Sequence, residues 1–243
     1  MKKTVLFSVV FAGAACFADT TVTGSNTIGL LQVNDTAKEY LLVAVPWLDY
    51  GTGASDINVA ELIKTANLAE GDKLYVSKNG GYDVYQLGSN NQWSPVKAVS
   101  IGADGKISTT SADSAASRTV SRGDAVWLQR SSTKGSFYLF GQQAESATAS
   151  VTVKAGMNLV ASPNADGLAL ASFTSGCAAN DEIIVNGASG EEAHYYFHDG
   201  AWCTKSKSFS GGKPTTTWTA TSATIPAGTG FWYKALANGT ITL

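Results

Sequence analysis

The chain has 243 residues, a formal net charge of −2 and only 15% charged side chains. This mild acidity excludes a nucleic-acid partner, whose phosphates demand a dense Lys and Arg surface. Abundant Thr, Ser, Gly, Val and Tyr, with aromatics recurring at strand spacing, exclude disorder and read as an all-β, extracellular protein.

Residues 1–18 read as a secretory signal peptide. Lys2 and Lys3 open it, Val5 to Ala15 is an apolar run too short for a membrane span, and Ala18 suits the cleavage junction. Cys16, following Gly13-Ala14-Ala15, raises lipid attachment as a rival, although Gly13 stands where bacterial lipoprotein signals usually carry Leu. Removing Lys2 and Lys3 from 17 basic residues leaves 15 against 19 acidic ones, and no later apolar run reaches transmembrane length.

The remainder divides into a first β unit at 19–143, a small polar linker at 144–149 and a second β unit at 150–243. Ile28 to Val33 opens the first unit as a strand, Asn34 to Glu39 turns the chain, and Tyr40 to Pro46 returns as a buried strand. Asn58, with Glu61 three residues on and Val59, Leu62, Ile63 and Ala66 on one face, predicts a capped helix, and Leu168 to Thr174 predicts its shorter counterpart. Lys73 to Ser77 and Gly81 to Leu87 form a hairpin about Lys78-Asn79-Gly80. Ala103 to Ser117 and Ser206 to Thr221 read as exposed loops or edge strands. Turn glycines then precede Val126-Trp127-Leu128 and Phe231-Trp232-Tyr233, and short strands at Phe137 to Phe140 and Thr240 to Leu243 close the two units.

These units are copies. Leu42-Val43-Ala44-Val45-Pro46 returns 117 positions later as Leu159-Val160-Ala161-Ser162-Pro163. Asp72 and Trp93 return 109 positions later as Asp181 and Trp202. Gly123 to Leu128 returns 105 positions later as Gly228 to Tyr233. The shrinking shift is that of loops shortening between fixed strands. The fold expected is two tandem pseudo-repeat β-sandwich or open-barrel units, each with one short helix. Halves of one larger sandwich are the competing layout.

Gly156-Met157-Asn158-Leu159-Val160-Ala161-Ser162-Pro163 and Gly228-Thr229-Gly230-Phe231-Trp232 resemble the Gly-x-Asn-Leu-Val-x-x-Pro … Gly-x-Gly-Phe-Trp repeats of a loose group of bacterial exported β-domain proteins. The first unit keeps this pattern in part, as Glu39 to Pro46 and Gly123 to Trp127. The resemblance implies a secreted or cell-surface location and a fold class, not an activity.

Candidate chemistry is sparse. Cys177 and Cys203 are both in the second unit, where the first carries Leu68 and Ser94; a cysteine pair gained in an exported chain is most simply one disulfide, stabilising by roughly 3 kcal/mol. His194 and His198, four apart on a strand, share a face and offer a two-ligand metal site, although half-exposed strand residues are the plainer account, and no metal or cofactor is assigned. A hydrolase could be assembled from His194, Asp199 and a serine, but no Gly-x-Ser-x-Gly elbow is present. Asp72 and Asp181, repeated at strand entrances, read as turn caps. Arg122-Gly123-Asp124 spells an integrin tripeptide, yet Ala227-Gly228-Thr229 in the second copy explains its glycine as a turn.

Trp93/Trp202 and Trp127/Trp232 recur and read as core. Trp47 and Trp218 do not recur, and are the residues available for stacking on sugar rings. The function expected is a secreted, non-catalytic structural or adhesive surface protein, possible self-assembly running through the strand of Ile28, Leu30 and Val33. A carbohydrate-binding module on Trp47 and Trp218 is the alternative, and a secreted hydrolase the third. The partners expected are further copies of the chain or surface glycans, with no transmembrane segment in the mature protein.

Overall fold

A computed structural model describes residues 28–33, 40–50, 52–63, 68–78, 80–102, 104–132, 135–164, 166–186 and 191–243. The signal at 1–18, Cys16 and the turn at 34–39 lie outside the described residues.

The first unit contains β1 (Ile28–Val33), β2 (Tyr40–Ala44), β3 (Asp56–Asn58), β4 (Lys73–Lys78), β5 (Gly81–Leu87), β6 (Trp93–Ile101), β7 (Ile107–Thr110), β8 (Thr119–Ser121), β9 (Ala125–Gln129) and β10 (Phe137–Gln142). The second contains β11 (Ser150–Val153), β12 (Gly156–Ala161), β13 (Leu168–Ala169), β14 (Glu182–Asn186), β15 (Glu192–His198), β16 (Ala201–Ser210), β17 (Lys213–Ala220), β18 (Thr224–Ile225), β19 (Gly230–Ala235) and β20 (Gly239–Thr242). Each builds a six-stranded antiparallel sheet, in the order β2-β9-β4-β5-β6-β7 and β12-β19-β14-β15-β16-β17. Each adds two strand pairs, β1-β10 with β3-β8 and β11-β20 with β13-β18. The ten strands of one unit correspond one by one to the ten of the other, as the duplicated sequence requires.

Residues opposite one another in an antiparallel ladder share a face, so the sheets can be read row by row. Val43, Leu74, Tyr85, Val126 and Leu128 turn inward on the first core, with Trp93 and with Leu31 of β1. Val160, Ile183, Phe197, Trp202, Phe231 and Tyr233 do so in the second. Each core tryptophan also satisfies its ring N–H: Trp93 Nε1 donates to Leu62 O at 2.7 Å and Trp202 Nε1 to Phe173 O at 2.5 Å.

The opposite faces of β2/β9 and β12/β19 meet in a seam between the units. Ala44, Ala125, Leu159 and Ala161 are buried there, flanked by Leu42, Tyr82, Trp127 and Trp232. The recurring Trp127 and Trp232 belong to this seam and not to the two cores; their rings meet across it at 6.5 Å. Backbone bonds cross it reciprocally, Ala44 N donating to Gly228 O at 3.0 Å and Ala161 N to Gly123 O at 2.8 Å. Because Ala44 corresponds to Ala161 and Gly228 to Gly123, these are one contact made twice about a pseudo-twofold axis. Arg122 ties the join, donating to Pro46 O, to Ser146 O and Thr148 O of the linker, and to Pro163 O of the second unit. The Arg122-Gly123-Asp124 tripeptide is thus a half-buried part of the seam.

The expected helices are corrected. The helix after Asn58 is a single 3-10 turn, Val59–Glu61, and Asn58 makes no side-chain cap. Val59 N and Ala60 N donate to Arg118 O and Ala115 O, and the turn stops where Leu62 becomes extended, at φ −72° and ψ 130°, before Ile63 at φ +46°. In the second unit Leu168 and Ala169 are strand, followed by tight turns from Ala169 O to Ser172 N and Leu170 O to Phe173 N. The opening strand is one half of a two-stranded sheet. β1 pairs with β10 along its whole length, Leu31 is buried in the first core, and Leu31 and Val33 rest on Gly228 of the second unit. Leu30 and Val33 are half-buried.

A Cβ on Gly230 would lie 2.5 Å from Ala125 Cβ and 2.7 Å from Leu42 Cγ across the seam. Gly230→Val should therefore lower stability by about 1–3 kcal/mol, as overpacking does. Gly239→Ala, where a Cβ meets nothing within 4 Å, should leave the midpoint nearly unchanged; urea denaturation followed by tryptophan fluorescence measures both.

Candidate binding face

The outer face of the second sheet, away from its core, carries the densest cluster of polar and aromatic side chains. Strand alternation puts His194, Tyr196 and His198 of β15 on this face while Phe197 turns inward. Pairing then sets the row Lys234–Glu182–Tyr196–Cys203–Ala220 across five strands. β16 and β17 run on as a hairpin about Gly211 and Gly212, both in the left-handed region at φ +59° and +77°. The hairpin register places Lys205 opposite Trp218.

Glu182 anchors one end of the face. Its carboxylate accepts from His194 Nδ1 at 2.8 Å and Lys234 Nζ at 3.3 Å. Burial alone would raise its pKa, but hydrogen bonds from His194, Lys234 and Tyr196 outweigh this and hold it below the usual carboxylate value. Burial, with the neighbouring Glu182 charge, pushes the Tyr196 phenol up. At the other end Trp218 stacks on His198, with centroids 4.5 Å apart at 23°. The Tyr196 ring meets Trp218 edge-on at 5.8 Å, and Lys205 Nζ lies 4.9 Å from the Trp218 centroid and 5.3 Å from that of Tyr196. No described carboxylate lies within salt-bridge distance of Lys205.

The first unit has no such face. Its equivalent row is Gln129–Lys73–Gln86–Ser94, and β7 ends at Thr110 opposite Ala98, so no strand continues to the place where Trp218 stands. The repeats share a framework and differ here. That difference is readable in the sequence once the copies are aligned, and it singles out Tyr196, Lys205 and Glu182, which sequence reasoning did not select.

The structure parts the other candidate residues. Trp47 is not a stacking platform: it is 5% exposed, its Nε1 donates to Leu139 O, and it lies between two glycines. A Cβ at Gly29 or Gly141 would fall 2.5 or 2.4 Å from it. Cys177 and Cys203 are free, not disulfide-bonded. Cys203 shares the outer face with Tyr196, whereas Cys177 packs on the core side against Phe173 and Tyr233, so the sheet separates the thiols. Burial pushes the Cys177 thiol up to about 11.

The two histidines do not form a metal site. They stand four strand positions and about 13 Å apart, His194 is engaged by Glu182 and Glu192, and His198 by Asp199 and Trp218. Among the described residues no group of three or more His, Cys, Asp or Glu is placed to hold a metal ion. The pairing of Asp199 with His198 also leaves the His194–Asp199 couple of a triad unformed.

Asp72 and Asp181 are buried caps. Asp72 accepts from Ala69 N, Ser131 N, Ser131 Oγ and Arg130 Nε. Asp181 accepts from Ala178 N, Leu236 N and Tyr233 Oη. Their lone pairs are spent on structure. The backbone donors are equivalent in the two copies; the side-chain partner has changed from a cation to a phenol.

Arg130→Met should cost about 3–5 kcal/mol, because it strands the buried Asp72 charge. Tyr233→Phe removes one donor of several and should cost about 1–3 kcal/mol; urea denaturation orders the two. Glu182, held low in the folded state, stabilises fully above the unfolded value of about 4.3, and this contribution disappears as pH falls through the folded value. The midpoint of Glu182→Gln should therefore fall less steeply than that of the wild type as pH drops from 5 to 3.

Neither a protein-family model, nor a curated protein, nor a solved structure matches this chain.

Proposed function

We propose that the mature chain is an exported, non-catalytic surface protein with a structural or adhesive role, whose contact surface is the outer face of the second repeat. One observation carries this reading. In a framework otherwise kept twice, a single sheet face has gained Tyr196, His198, Lys205 and Trp218 packed together, and only the second repeat extends the strand that holds Trp218. The face is open and polar, and its rings are fixed by one another. Surfaces of this composition bind through a few aromatic and cationic anchors. The signal read at 1–18 and the resemblance to exported β-domains support delivery to the cell surface.

Gold-labelled antibody on producing cells should place the protein at the cell surface under electron microscopy. Purified mature protein should be retained by cell envelopes, with at least tenfold weaker retention for Trp218→Ala at an unchanged thermal midpoint. Label confined to the cytoplasm, or equal retention of the variant, would overturn the proposal.

A further inference from the structure

We propose that this face takes acidic, uronate-bearing polysaccharide chains as its ligand. The inference rests on the adhesive reading and names its partner. Lys205 is its pivot. Two other sheet lysines have anions: Lys234 meets Glu182, and Lys78 meets Asp113 at 2.7 Å and Asp83 at 3.4 Å. Lys205 has two aromatic rings beneath its ammonium and no described carboxylate. A cation held on ring faces keeps part of its stabilisation while its remaining hydrogens face solvent. It is therefore positioned to receive an anion from outside.

The hairpin extends this chemistry in a line. Lys207 lies two residues on from Lys205, on the same face and opposite Thr216, and the next row sets Phe209 opposite Pro214. Lys207 is exposed and Phe209 is 78% exposed. From Lys205 to Phe209 the strip runs about 13 Å. Cations, hydroxyls and apolar surface thus alternate along a flat ribbon. Two concavities of the protein lie elsewhere. One is bounded by Trp47, Tyr50 and Phe140, the other by Lys78, Asp113 and Asp124 between the repeats.

The strip belongs to neither concavity, and an exposed two-stranded ribbon offers an extended track more than a socket for one side chain. It suits a linear polymer that lays apolar C–H faces on rings and offers charge at intervals. A polysaccharide bearing carboxylates meets both demands: its apolar C–H faces pack against the Tyr196–Trp218 cluster and the exposed Phe209 while its carboxylates reach Lys205 and Lys207. Nucleic acid fits less well, because Glu182, Glu192 and Asp199 border the same face and repel a dense polyanion.

The test is affinity electrophoresis of the full mature protein in gels containing polygalacturonate, its methyl ester, or polyglutamate. Retardation is expected in polygalacturonate, declining with salt. It should be at least tenfold weaker for Lys205→Gln and for Trp218→Ala, both with unchanged thermal midpoints, and restored by Lys205→Arg. The methyl ester and polyglutamate should each retard the protein at least tenfold less. Equal retardation by the ester would mean neutral-sugar binding, equal retardation by polyglutamate would mean binding of any polyanion, and either overturns the proposal. Envelope retention that depends on Trp218, without retardation in polygalacturonate, would overturn the uronate assignment while leaving the adhesive reading intact.

Discussion

The reciprocal seam is the constraint on which the architecture depends. A β-sheet that ends in a free edge invites uncontrolled pairing. Here the β2 edge of the first repeat gives its Ala44 N–H to Gly228, and the β12 edge of the second gives its Ala161 N–H to Gly123. Such close approach requires small side chains along the join, which Ala44, Ala125, Ala161 and Gly230 supply. It also explains why the turn glycines recur in both copies. Gly123 and Gly228 sit at positive φ, +96° and +73°, and offer their carbonyls across the axis from that conformation. The repeated motif is the record of a joint, and the aromatic pair Trp127–Trp232 closes it.

Much of this was legible because duplication exposes framework. Pro46 and Pro163, Asp72 and Asp181, and Trp93 and Trp202 marked equivalent positions whose roles proved equivalent in space. What misled had local causes. Val59, Leu62 and Ile63 have helical spacing, but three apolar residues following a strand can equally turn inward from a tight bend. The backbone leaves the helical region at Leu62 and Ile63, after a single turn. Trp47 lacks a counterpart, which says nothing of exposure; it fills the space left by Gly29 and Gly141. The two cysteines were gained in one repeat, yet strand parity already set Cys203 opposite in direction to the inward Trp202. The binding face was half legible. Alternation along β15 aligned His194, Tyr196 and His198, whereas bringing Trp218 to them needed the register fixed by Gly211-Gly212.

The two buried aspartates show how freely a copy drifts once the backbone contacts are kept. Ala69 N corresponds to Ala178 N, and Ser131 N to Leu236 N, so the main-chain clasp is the same. The compensation differs. Arg130 neutralises Asp72 within a buried ion pair, whereas Tyr233 donates a short hydrogen bond of 2.5 Å to Asp181. Both satisfy the rule that buried charge is tolerated only when bonded. The first solution adds a cation and the Ser131 hydroxyl to the shared backbone clasp; the second adds a single phenol.

The same asymmetry accounts for where the new surface arose. The seam occupies the outer faces of β2/β9 and β12/β19, so substitutions there are felt by both repeats at once. The strands at the far side of each sheet, β6 and β7 and β15 to β17, stand outside that constraint, and their outer faces can change without disturbing either core. In the first repeat the last strand is four residues long and carries only Ile, Ser and Thr. In the second it is eight residues long and brings Trp218 over Lys205 and His198. Freedom from the joint, rather than any feature of the core, is what allowed one repeat to acquire a face that the other lacks.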